Sequence, residues 1–326
     1  MLDRNQLVSL IPSAIQSVEL GAWGERVAGK VRDIYPYGED LVLIATDRMS
    51  VFDRVVCAVP YKGQVLNQLS LWWFDQVRDL AANHVVAALD PNVVVARRAE
   101  ALPIEVVVRG YITGVTATAL WTLYCAGDRQ PYGIPLPEGM KKNDKLPTPI
   151  ITPTTKALVG SRDERLTREA ILERRIVPPA LWEEIEHVAL KLFERGQAVA
   201  SRAGLILVDT KYEFGLVDGR LTLIDEVHTP DSSRYWTQES YQASHGAAPR
   251  NFDKEFLREW YVANGYRGEG TPPRLPKDVI AQVAERYIAA YERLTRSTFA
   301  PEAYDPPPAL RIAGTLRDYV EHSRQG

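Results

Sequence analysis

LILVDTKYEFGLVDGRLTLIDE, Leu205 to Glu226, decides the fold. Two apolar runs flank Asp218-Gly219, a dipeptide suited to the left-handed backbone of a tight turn, so the segment reads as a β-hairpin. Lys211, Glu213, Asp225 and Glu226 interrupt these otherwise apolar strands, and burying a charge is costly unless it is paired or binds a metal. Lys211 and Glu213 stand two apart and share a face. The face of Asp225 depends on the turn. A two-residue Asp218-Gly219 turn sets it opposite Tyr212, on the other side, whereas a three-residue Val217-Asp218-Gly219 loop sets it opposite Lys211. We expect the three-residue form. Two carboxylates and one ammonium then line one wall, which suits a magnesium ion bridging triphosphate oxygens with a lysine beside it. A structural ion-pair ladder is the alternative.

Just downstream, DEVHTPDSSRYW gathers Asp231, Ser232, Ser233 and Arg234. An arginine fork with neighbouring hydroxyls suits a phosphate monoester, and an ordinary turn is the plain alternative. His228 in the same loop reads as structural and is left without a role. Before the hairpin, Pro178-Pro179 opens a helix whose Leu181, Ile185, Val188, Leu192 and Val199 form one face, with Gly204 at its end. Further upstream, the proline-rich stretch from Tyr132 to Thr155 reads as a long ordered loop crossing between two lobes. Lys156 follows it, then a charged stretch with Asp163 and Glu164.

The first hundred residues read as an antiparallel meander. Strands at Arg26 to Ala28, Val31 to Tyr35 and Leu41 to Thr46 surround Gly29 and the Tyr37 to Asp40 turn. Lys30 and Arg32 alternate onto one face; a glycine hairpin with such cations can lie over nucleotide phosphates, and a surface hairpin with solvated cations is the plainer reading of these residues alone. No helix follows the glycine, which excludes the Rossmann and P-loop readings. Ser50 lies in TDRMSVFD just past an apolar strand, and Arg109 ends the apolar run Val106 to Val108, where it needs an anionic partner in the protein or a ligand. Helices are expected at Gly63 to Leu80 and, as the last element, Asp278 to Leu294. The fold class is α+β in two lobes, residues 1–120 with the glycine hairpin and 121–326 with the acidic hairpin.

Composition narrows the function. The 326 residues hold 39 Lys and Arg against 42 Asp and Glu, which gives no broad basic surface for nucleic acid. Two cysteines and five scattered histidines offer neither a disulfide framework nor a zinc site. Neither a signal peptide nor a membrane-spanning apolar run is read, so a cytoplasmic protein is expected.

Taken in order, GKVRDIY, ATDRMSVFD, KGQVLNQLS, VVRGYITG, TPTTKA, DTKYEFG and DEVHTPDSSRYW resemble the SAICAR synthetase family from about Gly29 to the last helix. The proline-rich crossing and NFDKEFLREW are similar to its longer, fungal-like form, which implies a monomer. The resemblance implies two lobes with ATP in the cleft between antiparallel sheets, distantly similar to kinases and ATP-grasp enzymes. It also implies ligation of L-aspartate to the carboxylate of CAIR, 5-amino-1-(5-phosphoribosyl)imidazole-4-carboxylate, with magnesium as cofactor. On that basis Gly29, Lys30, Arg32, Lys211 and Glu213 would bind ATP, and Glu213 and Asp225 the metal. Ser50, Arg109, Asp231, Ser233 and Arg234 would bind substrate, with Lys156, Lys211 and Asp225 at the reacting centre. The family usually has serine after YITG; Val115 stands here and cannot donate a hydrogen bond, so either Thr116 takes over or the contact is lost.

Overall fold

Short strands and tight turns build the first sheet, as the meander pattern predicts. A computed structural model describes residues 2–156, 164–247 and 249–323, so Asp163 lies outside the described residues. Strands β1 (Val27–Ala28), β2 (Arg32–Tyr37), β3 (Asp40–Ala45), β7 (Val85–Asp90) and β8 (Val93–Arg97) pair antiparallel in the order β1-β2-β3-β8-β7. The strands β4 (Arg48–Val51) and β5 (Arg54–Ala58) form a separate hairpin.

The second sheet runs β10-β9-β12-β13-β6, with β11 beside β9 and β14 beside β12. Its members are β6 (Ala82–Asn83), β9 (Glu100–Tyr111), β10 (Lys145–Ile151), β11 (Thr154–Thr155), β12 (Leu205–Val217), β13 (Arg220–Ile224) and β14 (Ser233–Thr237). All pairings are antiparallel except β13 with β6. Central strand β9 precedes residue 120 yet belongs with β12, so the sheets do not divide at that point in the chain. The proline-rich stretch is not all loop. Its Pro147 and Pro149 lie in β10, an edge strand, where a missing N–H breaks no ladder.

The helices are α1 (Arg4–Leu10), α2 (Lys62–Gln76), α3 (Leu120–Cys125), α4 (Arg168–Glu173), α5 (Pro179–Arg202), α6 (Gln238–Ala243), α7 (Glu255–Ala263), α8 (Lys277–Thr295) and α9 (Pro308–Ser323). Helix α5 lays Trp182, Ile185, Ala189, Leu192 and Phe193 on the second sheet, where Val106, Val108, Tyr212 and Phe214 meet Leu69 and Trp73 of α2. This is the main core. The expected last helix, α8, packs Ile280, Val283 and Tyr287 on Met49, Val51 and Leu66. Helix α9 was not foreseen. It follows a proline run, starts on Pro308, where the missing N–H is no loss, and covers the first sheet with Ile312 and Leu316 against Tyr35, Val42 and Ile44. No helix among the described residues is long and apolar enough to cross a membrane.

Candidate active site

Leu205 and Leu207 of β12 point into the core under α5, and so do Tyr212 and Phe214. Strict alternation cannot send both odd and even positions to one side. The pairing with β14 resolves it: Leu207 faces Tyr235 and Asp209 faces Arg234, leaving Val208 as an extra residue. This β-bulge turns the odd positions beyond it to the opposite face. Asp209, Lys211 and Glu213 therefore look away from the core.

Asp209 is paired across the strands with Arg109 of β9 and Arg234 of β14, so the three side chains form a row. Asp209 Oδ2 accepts from Arg109 Nη1 at 3.0 Å and from Arg234 Nη1 at 2.6 Å. Arg109 Nε donates to Thr152 Oγ1 at 2.8 Å. Beyond Arg234, Glu255 lies 3.5 Å from its Nε and accepts from Arg258 at 2.8 Å. Burial pushes the Glu255 carboxyl up, but Arg234 and Arg258 outweigh it and bring the pKa down to about 2. Arg109, Arg234 and Arg258 thus face Asp209 and Glu255, and the Arg234 charge also interacts with Asp253. Gly114, at φ +101°, closes this end; a Cβ there would lie 3.2 Å from Arg234 Nη2.

Further along β12 the charges alternate. Lys211 Nζ donates to Glu105 Oε1 at 2.9 Å and also to Glu213, whose Oε2 accepts from Lys156 Nζ at 2.5 Å. Burial alone would neutralise both groups. Instead, Lys211 and Lys156 bring the Glu213 pKa down to about 2, and Glu213 with Glu105 holds Lys211 above the ordinary lysine range.

The turn departs from the expected form. Val217 faces Arg220 and Glu213 faces Ile224, so the loop has two residues, Asp218 at φ 50° and Gly219 at φ 72°. Both are left-handed, the turn whose twist matches that of the flanking strands. Continued regularly, this register would carry Asp225 to the side of Tyr212. The strand ends at Ile224 instead, and Asp225 takes φ 69°. Its N–H donates to His84 Nδ1 at 3.2 Å, and its carboxylate meets the Arg32 guanidinium from the first sheet. Glu226 lies 3.6 Å from the same guanidinium.

A family model for SAICAR synthetase matches residues 25–274. The chain belongs to the SAICAR synthetase family. The phosphoribosylaminoimidazole-succinocarboxamide synthase of Legionella pneumophila (strain Paris) is 46% identical over 308 residues, 93% of this chain and 95% of that protein. The chloroplastic one of Arabidopsis thaliana is 50% identical over 277 residues, 83% of this chain and 67% of that protein. SAICAR-synthase from Saccharomyces cerevisiae complexed with SAICAR superposes with a TM-score of 0.77 at 32% identity, covering 88% of this chain and all of that one.

Within this family member the residues named from the sequence part into groups. Arg109 and Arg234 share Asp209; Lys156, Lys211 and Glu213 form one ladder; Arg32 and Asp225 meet across the two sheets. Lys30, beside Gly29 in the β1–β2 turn, is exposed and pairs with Asp53. Ser50 is half-buried on the β4–β5 hairpin, and no hydrogen bond among the described residues joins it to the others. Asp231 and Ser233 both make hydrogen bonds within the protein. Asp231 is buried and accepts from Lys62 Nζ at 3.0 Å and Tyr287 OH at 2.7 Å. The Ser233 hydroxyl donates to Thr210 at 2.8 Å, on the opposite face from Arg234 because strand neighbours alternate. These two residues hold the start of β14, the strand that presents Arg234.

Sequence reasoning missed Glu105, Asp209, Lys62 and His84. Asp209 carried a signal, a third charge in the same alternation as Lys211 and Glu213, and Lys62 opens the KGQVLNQLS string. His228 is fully buried: burial pushes its pKa down to about 3, and Nε2 lies 2.5 Å from the Tyr212 hydroxyl.

Proposed function

We propose that β12 spans the reaction, with the phosphate of CAIR held at the Arg109 and Arg234 end and the phosphates of ATP at the Lys211 and Glu213 end. The chain catalyses the ATP-dependent formation of SAICAR, a step of purine biosynthesis. The observation that carries the assignment of ends is the common face of Asp209, Lys211 and Glu213. Four residue steps along the strand lead from the first to the last, about 13 Å, with Lys211 midway. A phosphoribosyl group anchored at the first can present its imidazole carboxylate near Lys211.

The CAIR carboxylate is a poor electrophile. On this reading its oxygen attacks the γ-phosphorus of ATP, the bond to the β-bridging oxygen breaks, and ADP leaves an acyl phosphate. The amine of L-aspartate then attacks the carboxyl carbon, phosphate departs, and the nitrogen gives up its proton. Two anions meet in the first step, so Lys211 and Lys156 neutralise and position them. Arg32 and Lys30 flank the nucleotide. Glu213 and Asp225 offer the hard oxygens that magnesium prefers, and no group of three or more metal-ligating side chains is preformed among the described residues. An ion there would be held by these one or two carboxylates and the substrate's phosphates. Bound there, magnesium would supply neutralising charge to the phosphoryl group. We also propose that the chain acts as a monomer in the cytoplasm.

ADP release measured with CAIR, with and without aspartate, tests the reading. Turnover to SAICAR with aspartate is expected. A stable phosphorylated product formed regardless of aspartate would point to a small-molecule kinase, and ATP binding without turnover to a mere nucleotide-binding module.

A further inference from the structure

We propose that Asp209 is a positioning residue for phosphate recognition: it sets the gap and direction of the Arg109 and Arg234 guanidiniums. The proposal rests on the phosphate reading of that end. Asp209 is buried, and a single oxygen, Oδ2, takes one N–H from each arginine, which arrive from strands on either side of β12. Outer anchors complete the frame, Thr152 on Arg109 and Glu255 near Arg234. The Nη2 of Arg234 is turned toward Gly114, where a side chain would intrude.

A carboxylate in an anion site needs a reason, because its charge repels the ligand. Two guanidiniums sharing one oxygen supply it. Without the anion between them they repel, swing apart and lose the convergent fork that suits phosphate. The two accounts predict opposite signs. If Asp209 contributed only background charge, neutralising it would tighten the grip on CAIR; if it positions, neutralising it weakens that grip.

Asp209→Asn should raise KM for CAIR tenfold or more while KM for ATP stays within twofold. An unchanged or lowered KM for CAIR overturns the proposal. Should that variant not fold, Asp209→Glu keeps the charge and shifts the oxygens; positioning again predicts a raised KM for CAIR alone, and a near-native value overturns it. The ratio of kcat/KM for CAIR to that for its dephosphorylated nucleoside separates the proposal from the reading beneath it. Collapse of this ratio in both Arg234→Ala and the Asp209 variant supports both. Collapse in Arg234→Ala alone refutes the positioning role only, and no collapse in Arg234→Ala refutes the phosphate reading and the proposal with it.

Discussion

Arg32 and Asp225 join the two sheets: a guanidinium from β2 rests on the carboxylate that follows β13. Asp225→Asn removes that charge with little cost to the backbone, since asparagine tolerates the left-handed conformation at φ 69°. Glu226, 3.6 Å from Arg32, remains to hold the guanidinium. We expect magnesium-dependent turnover to fall roughly 100-fold or more, the scale of losing one electrostatic group at a transferring centre. The melting temperature should stay near that of the parent. Unchanged turnover would remove Asp225 from the metal site.

Gly114→Ala tests the wall of the phosphate end. The backbone there has φ +101°, and the added methyl would stand 2.6 Å from Ala119 Cβ and 3.2 Å from Arg234 Nη2. Strain of this kind costs about 1–3 kcal/mol. Denaturant unfolding should show that loss, and KM for CAIR should rise more than KM for ATP because Arg234 is displaced.

Lys62 has no exposed surface and its ammonium donates to Asp231, which Tyr287 also binds. Lys62→Met removes the hydrogen-bonded cation from Asp231 and leaves it with the Tyr287 hydroxyl and the more distant Lys254 charge, so the loss should approach that of a broken buried pair, about 3–5 kcal/mol. Adding Asp231→Asn should recover part of that stability. A double variant no more stable than Lys62→Met would show that the unpaired Asp231 charge is not the source of the loss.

The hairpin, both long helices and the order of chemistry along the chain could be read from periodicity and turn residues, because those signals are local. Asp218-Gly219 even favoured the two-residue turn that forms; the expectation of a longer loop came from assuming that Asp225 stays within the strand. Its departure at Ile224 is fixed by contacts with His84 and Arg32, far away in sequence. The bulge at Val208 was hidden for a similar reason. In LILV every residue is apolar, since one side meets α5 and the other Tyr111 and Trp236, so no alternation marks the extra residue. The partners of Asp231 and Ser233, which are Lys62, Tyr287 and Thr210, lie far away in sequence and could not be read locally.

His84 gives the site region a measurable dependence on pH. Burial, reinforced by the Arg32 charge, pushes its pKa down to about 3, so the folded protein keeps the ring neutral with Nδ1 accepting from Asp225. In the unfolded chain the ring protonates near the ordinary value of about 6.5. Between those values the unfolded state holds the extra proton, so acidification disfavours folding, by about 1.4 kcal/mol per pH unit for this one group. His84→Asn retains an acceptor at the same branch and removes the titration. At pH 8 it should be less stable than the parent, since it fills less of the space beside Phe74. The gap should then narrow as the pH falls below about 6.5. Urea unfolding of both proteins at matched pH values measures it, and other titrating groups largely cancel in the difference. A gap that stays constant from pH 7 to pH 5 would mean that His84 does not stay neutral in the folded state.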